Sequence, residues 1–257
     1  MKTPIAGESA TFLLAVQLLT RLPVGSETIY TAERMAASVR YYTLVGVLVG
    51  GLSALVYGGA YGLLSSSLLA VLLALAAGVI LTGAFHEDGL ADTFDGIGGG
   101  ATREAALEIM RDSRLGTYGT LALGLALALK VGALVALPPP LAVAALIAGH
   151  GLSRVSSVLV LATSRYVRAE GTGKPVAGGV SLPSLLVTLA SGALIAGLWC
   201  AFQAPASLAW ALGGLLIGHG LMRLFFEPKL GGYSGDTLGA VQQASEIGFY
   251  LGLVAWA

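Results

Sequence analysis

From His86 to Gly96 the chain reads His-Glu-Asp-Gly-Leu-Ala-Asp-Thr-Phe-Asp-Gly. Asp88, Asp92 and Asp95 stand at i, i+4 and i+7, so a helix sets the three carboxylates within an arc of about 60°. Like charges held that close repel, and a bound cation is the usual remedy. The segment follows directly on an apolar run from Leu68 to Phe85, where ionisable groups are costly. Residue types and spacing therefore predict a hard-metal site at a membrane surface. On a regular helix His86 projects away from the aspartate face, which leaves it outside the metal shell.

The next stretch supplies phosphate-binding groups. Thr102 is placed to cap a helix from Arg103 to Ser113, with Glu104, Glu108 and Asp112 on one face and Arg111 and Arg114 flanking Asp112. The glycines of 96–100 predict a flexible break before it, and Leu115-Gly116-Thr117-Tyr118-Gly119 a turn back into the membrane. Carboxylates for a cation beside arginines for phosphate are the inventory of phosphoryl-transfer sites. A second glycine-rich segment, Leu230 to Ala240, precedes the last helix. Its backbone and the helix start are expected to cradle a phosphate, with Asp236 as a further cation ligand. Arg165 to Lys174 forms a smaller basic segment.

Lys130 and Arg154 fall inside apolar spans, where a central Lys or Arg costs about 2.5–3.5 kcal/mol. Each needs a partner or a polar cavity. Arg154 lies one turn from His150, with Ser153, Ser156 and Ser157 near, and these are expected to line a pocket opening to the cytoplasmic side. His219 reads as a helix-packing polar group, and Trp199, Trp210 and Trp256 as interfacial belts.

The elements that must position these groups are set by composition. Hydrophobic residues make up 56% of the 257 and charged residues 11%, with a mean hydropathy of +0.83. A soluble domain carries roughly 25% charged residues, so this is a membrane protein. Zero net charge excludes a bulk field for nucleic acid, and no nucleic-acid partner is expected. The single cysteine, Cys200, cannot form an internal disulfide. No cleavable leader is expected from the short Ala10–Leu19 run.

Spans of about 20 apolar residues fall near 43–63, 67–86, 117–137, 141–163, 183–203 and 206–226. A more polar seventh covers 238–257, and residues 9–22 look amphipathic or half-inserted. The fold expected is an all-α polytopic bundle of six to seven transmembrane helices, forming a single domain over 1–257 with an aspartate-rich loop at 86–116. The connections around 64–66, 138–140 and 203–205 carry no charge, whereas Arg103, Arg111, Arg114, Arg165, Arg168, Lys174 and Lys229 lie on the opposite side. The positive-inside rule makes that side cytoplasmic, and with it the active site. Such one-sidedness argues against a transporter, which places polar groups deep in the bilayer, and no internal repeat is evident.

With these residues in view, the chain resembles the cobalamin synthase family, the adenosylcobinamide-GDP ribazoletransferases. The resemblance runs from Leu18-Leu19-Thr20-Arg21-Leu22-Pro23-Val24 through Phe85 to Gly96 and Glu108 to Gly119, and closes with Gly231 to Ala240. It implies an integral enzyme of the bacterial or archaeal cytoplasmic membrane that uses Mg²⁺. Adenosylcobinamide-GDP and α-ribazole, or α-ribazole 5′-phosphate, would give adenosylcobalamin, or its 5′-phosphate, and GMP. On that basis Asp88, Asp92 and Asp95 are expected to hold the metal, Asp112 and Asp236 to complete the shell, and Arg111, Arg114 and Arg154 to meet phosphate oxygens. A carboxylate is favoured over His86 to take the acceptor hydroxyl's proton. Some members carry Leu where Glu87 stands, which makes Glu87 a bystander. The CDP-alcohol phosphotransferases share this chemical logic with a different aspartate spacing.

Overall fold

In lipid the backbone must satisfy its own hydrogen bonds, and helix is the regular element throughout the described residues, 4–24, 30–168, 176 and 178–257. A computed structural model gives α1 (Pro4–Leu19), α2 (Ala32–Ser38) running through a 3₁₀ turn into α3 (Tyr42–Leu64), α4 (Ser67–Thr82) and α5 (Phe85–Gly99). There follow α6 (Arg103–Ile109), α7 (Thr117–Ala136), α8 (Pro139–Thr163), α9 (Leu182–Phe202), α10 (Pro205–Leu230) and α11 (Gly235–Trp256). Five helices, or six with a bent pair, are long and apolar enough to cross a membrane. Leu55, Leu63, Ile80, Phe202 and Leu224 point outward, an apolar exterior that only hydrocarbon tolerates.

The bent pair is α4 and α5, and it changes the expected span at 67–86. The helix stops at Thr82 because Gly83 and Ala84 both take left-handed backbone, φ 65° and 59°. Gly83 does so without strain. Ala84 accepts a conformation that a side chain disfavours. The chain restarts at Phe85 turned by 87°. The aspartates thus ride on a separate helix laid across one end of the bundle rather than on the mouth of a spanning helix.

Two further boundaries differ from the sequence reading. The glycines at 96–99 stay helical, because α5 packs on α6, α7 and α11 along its length. The next helix ends at Ile109, not Ser113, since the backbone N–H groups of Arg111 and Asp112 turn back to Glu108 and Ile109. From Ala32 the approach to α3 is itself helical and continuous with it, capped by Thr31. Most of the basic 165–174 segment, including Gly171, Gly173 and Lys174, lies outside the described residues.

The last helix, the most polar by sequence, is the inner one. α11 packs against α10, α5, α8 and α7 and buries Gln242, Gln243 and Glu246. It is not among the helices apolar enough to cross by themselves. Trp199 also departs from the belt expectation: it is buried, packs edge-on to Phe249 and donates its indole N–H to Ser207 Oγ at 2.9 Å. Trp210 and Trp256 remain exposed.

Candidate active site

α5 reaches α11 through Gly89. A Cβ there would lie 2.6 Å from the Asp236 carbonyl oxygen, so only glycine lets the two backbones approach this closely. The contact brings Asp236, in the first turn of α11, up beside Asp88 and Asp92. Ser234 caps that helix by accepting from Thr237 N, while Thr237 Oγ1 accepts from Ser234 N. This capping box stands where an open phosphate cradle was expected.

The electrostatics of the cluster register crowding. Partial burial and then the negative charges of Asp236, Asp88 and Asp95 push the Asp92 carboxyl up to about 7, with Arg168 opposing. Asp236 is raised mainly by burial, against the pull of Arg168 and a hydrogen bond from Ser234. Both carboxyls would be relieved by a cation.

Arg168 is the residue that sequence reasoning passed over. Its Nη2 lies 2.6 Å from Asp236 Oδ2 and donates to Met110 O at 3.3 Å. Its Nε is buried without a partner. A short parallel bridge holds it in place: Val167 N donates to Tyr233 O at 3.0 Å, and Tyr233 N to Arg165 O at 2.9 Å. The link that runs from the end of α8 thus clamps onto the glycine loop before α11. The sequence counted Arg168 only as one of the charges on the basic side, and no local spacing joins it to Asp236.

The other site residues are distributed differently from the expectation. Asp95 is buried and gives both oxygens to the start of α7, accepting from Gly116 N at 2.7 Å and Gly119 N at 2.8 Å. It acts as a cap supplied from another helix and matches the positive end of α7's dipole. Asp112 lies on the surface, where its Oδ2 is 2.5 Å from Arg114 Nη2 and its carboxyl is lowered to about 2 by hydrogen bonds from Arg114. Arg111 is exposed beyond α6.

Arg154 does not open to solvent. It is 2% exposed, donates from Nη1 to His150 O at 2.7 Å, and lines with His86 and Ser157 a cavity of about 50 Å³. That is room for a few waters and not for a diphosphate. His86 is buried beside it, away from the aspartate face as its helix position required.

Beneath α5 a polar core joins α7, α8 and α11. Glu246, fully buried, lies 2.9 Å from Lys130 Nζ and 3.4 Å from His150 Nδ1, and it accepts from Tyr250 Oη at 3.0 Å and from Gln242. Gln242 also donates to Ser153 Oγ. Gln243 donates both to Gln242 Oε1 and to Glu87 Oε1, each at 2.9 Å. Glu87 is therefore the strut that ties α5 to this core. Lys130 and Arg154 in apolar spans demanded a counter-charge, and Glu246 was the signal available to meet it.

Among the described residues no three His, Cys, Asp or Glu side chains are grouped closely enough to hold a metal ion by themselves. Mg²⁺, by contrast with a caged ion, keeps several waters and is held by one or two carboxylates together with substrate phosphates. The donors at hand, all carboxylate oxygens under mutual repulsion, suit a hard divalent cation.

Gly89→Ala tests the approach of α5 and α11. The added methyl must displace the Asp236 backbone, an overpacking cost of about 1–3 kcal/mol. Membrane yield is expected to hold while activity falls at least tenfold, by roughly the arithmetic of that misplacement. Wild-type turnover in the purified variant would contradict the contact's role.

A family model described as cobalamin-5-phosphate synthase matches residues 11–254. An adenosylcobinamide-GDP ribazoletransferase of Shewanella frigidimarina is 46% identical over 253 residues, covering 95% of this chain and 94% of that protein. The protein of the same name from Shewanella woodyi is 42% identical over 251 residues, 96% of each chain. One from Shewanella baltica is 45% identical over 251 residues, 95% of this chain and 93% of its own length. No solved structure matches the chain.

Proposed function

The chain belongs to the cobalamin-5-phosphate synthase family, and from that premise we propose how its site works. The activity is that of an adenosylcobinamide-GDP ribazoletransferase, a transferase of cobalamin assembly. The substrates in this reading are adenosylcobinamide-GDP and α-ribazole or its 5′-phosphate. The observation that carries it is the meeting of Asp88 and Asp92 on α5 with Asp236 on α11, answered by Arg168.

A ribose hydroxyl of the acceptor attacks the phosphorus on the cobinamide side of the diphosphate. Its oxygen forms the new P–O bond, the bridging bond to GMP breaks, and one of the carboxylates takes the proton. Because the product of ribazole 5′-phosphate keeps that phosphate, the attacking hydroxyl is one other than the 5′-hydroxyl. Asp92 and Asp236, with Asp88 at the exposed edge, are the residues to hold Mg²⁺. When bound, that ion neutralises the diphosphate and the departing GMP. Arg168, already seated against Asp236, is the cation placed to meet the diphosphate oxygens through its guanidinium. Asp95 holds α7 against α5 instead of joining the shell. Arg154 and Glu87 belong to the support under α5, and Asp112 with Arg114 lies outside.

We place the protein in the cytoplasmic membrane with this end of the bundle toward the cytoplasm. The support is the gathering of arginines at 103–114 and 165–168 beside the site, opposite the charge-free turns. Nucleotide substrates on that side require nothing to be exported.

The test is a substrate panel on purified protein. Cobinamide-GDP with ribazole 5′-phosphate is expected to yield cobalamin 5′-phosphate and GMP, with the yield abolished by EDTA and restored by Mg²⁺. Turnover of CDP-activated lipids in place of cobinamide-GDP would overturn the reading. Arg168→Ala is expected to cost roughly 10–100-fold in kcat/KM, the range for a charge-assisted hydrogen bond, and Arg168→Lys to recover part. An unaltered kcat/KM in Arg168→Ala would remove Arg168 from the site.

A further inference from the structure

The segment Leu18-Leu19-Thr20-Arg21-Leu22-Pro23-Val24 has no part in the site so far, yet it is pinned beside it. Arg21 N donates to Leu81 O at 2.7 Å, and Thr20 Oγ1 donates to Val16 O at 2.7 Å. The first bond fixes the end of α1 against the end of α4, and the second closes the last turn of α1. The Arg21 side chain lies across Gly83, so closely that a Cβ there would collide with Nε. Gly83 belongs to the left-handed pair that swings α5 away from α4. The same turn opens a cavity of about 590 Å³, lined among others by Gln17, Arg21, Tyr30, Met35, Phe85 and Asp88.

Three properties of this cavity limit its ligand. Its size is that of small-molecule sites, about 300–1,000 Å³. Arg21 is exposed, and no ion pair holds its guanidinium among the described residues. Phe85, Tyr30 and Met35 offer aromatic and thioether surface to a flat ring, while Asp88 is shared with the cation cluster. A ligand with a planar base and a phosphate fits this order of groups, its sugar reaching toward Asp88.

We propose that this cavity binds the acceptor, an aromatic-base ribonucleoside, and that Arg21 binds its non-reacting phosphate. The proposal rests on the reaction given above and adds to it the acceptor's place. The reacting diphosphate is answered by the aspartate-held cation and Arg168. The acceptor's phosphate does not react and needs a separate cation, far enough from the phosphorus under attack to leave the hydroxyl free. Arg21, whose planar fork suits a phosphate, lines the cavity that Asp88 joins to the cation site.

Arg21→Ala and Arg21→Lys test this, since the backbone bond that anchors residue 21 survives either change. Steady-state rates are compared for ribazole 5′-phosphate and free ribazole. The ratio of their kcat/KM values, phosphorylated over free, is expected to fall roughly 10- to 100-fold in Arg21→Ala, the loss of a charge-assisted hydrogen bond, and to recover in part in Arg21→Lys. An unchanged ratio overturns the assignment. So does a loss confined to the KM of cobinamide-GDP, which would give Arg21 to the donor's phosphates. Equilibrium binding of ribazole 5′-phosphate to the detergent-solubilised protein separates this proposal from the reaction itself. If wild type turns over neither acceptor, the reaction fails. Weaker retention by Arg21→Ala than by wild type would still support the cavity, and equal retention would still refute it.

Discussion

Asp92→Asn and Asp236→Asn each lower turnover by roughly 10²–10³-fold, the usual loss when one preorganised charge-stabilising group is removed from a reaction centre. Asparagine keeps the shape of each side chain and removes the charge, so membrane yield and melting in detergent should stay near wild type. The two residues differ in kind. Asp92 is pushed up to about 7 by burial and then by three other aspartates, so its loss takes away the proposed cation ligand and also relieves repulsion. Asp236 already has Arg168 at 2.6 Å. Its loss leaves that arginine's charge unopposed beside the diphosphate, and KM for cobinamide-GDP is expected to move less than kcat. Asp112→Asn, which disturbs only the surface pair with Arg114, shows the smaller effect. A ranking in which Asp112→Asn is the most damaging would contradict the arrangement.

Glu246→Ala is the second large effect, and it falls on stability. The substitution leaves Lys130 and His150 facing an empty site at the centre of the bundle. Breaking a buried pair from one side costs about 3–5 kcal/mol, because the remaining charge is stranded. The expected result is a sharp fall in the apparent melting temperature in detergent and in the yield from membranes. Lys130→Met combined with Glu246→Gln removes the pair together and should recover part of the loss, as replacing both partners often does. A double variant no better than Glu246→Ala would show that the pair is not the source of the cost. Because Gln242 and Gln243 carry the connection from Glu246 to Glu87 on α5, the same change loosens the floor on which Asp88 and Asp92 stand.

That core shows where the sequence was readable and where it was not. Hydropathy located the apolar helices, because each must fill the bilayer with carbon. It ranked the last helix lowest for the residues that make it central: Gln242, Gln243 and Glu246 lower its mean hydropathy yet are satisfied inside by Lys130, His150, Ser153 and Tyr250. A one-dimensional scale cannot see partners on other helices. The turn at Gly83 was invisible for a related reason. The apolar run continues to Phe85 without a change in composition, and the break comes from backbone angles at two small residues.

The site was legible in part. Spacing alone put Asp88, Asp92 and Asp95 on one face of a helix, and α5 is that helix. Which face meets the cation cluster and which meets α7 depends on packing: Asp95, one turn on, meets Gly116 and Gly119 and spends its oxygens there. Asp236 belongs to a motif that pattern reading singled out, but its nearness to Asp92 depends on Gly89 having no side chain. Arg168 carried no pattern, since its position comes from a two-bond bridge between distant loops.

The central claim is that Asp92 and Asp236, with Asp88, hold a divalent cation against a diphosphate. Electron paramagnetic resonance of Mn²⁺, as a stand-in for Mg²⁺, measures that directly when titrated into purified protein with GDP as the diphosphate. Wild type is expected to bind Mn²⁺ markedly tighter with GDP than without, and the Asp92→Asn/Asp236→Asn double variant to lose that gain. Retention of wild-type, GDP-enhanced Mn²⁺ binding by the double variant would contradict the account.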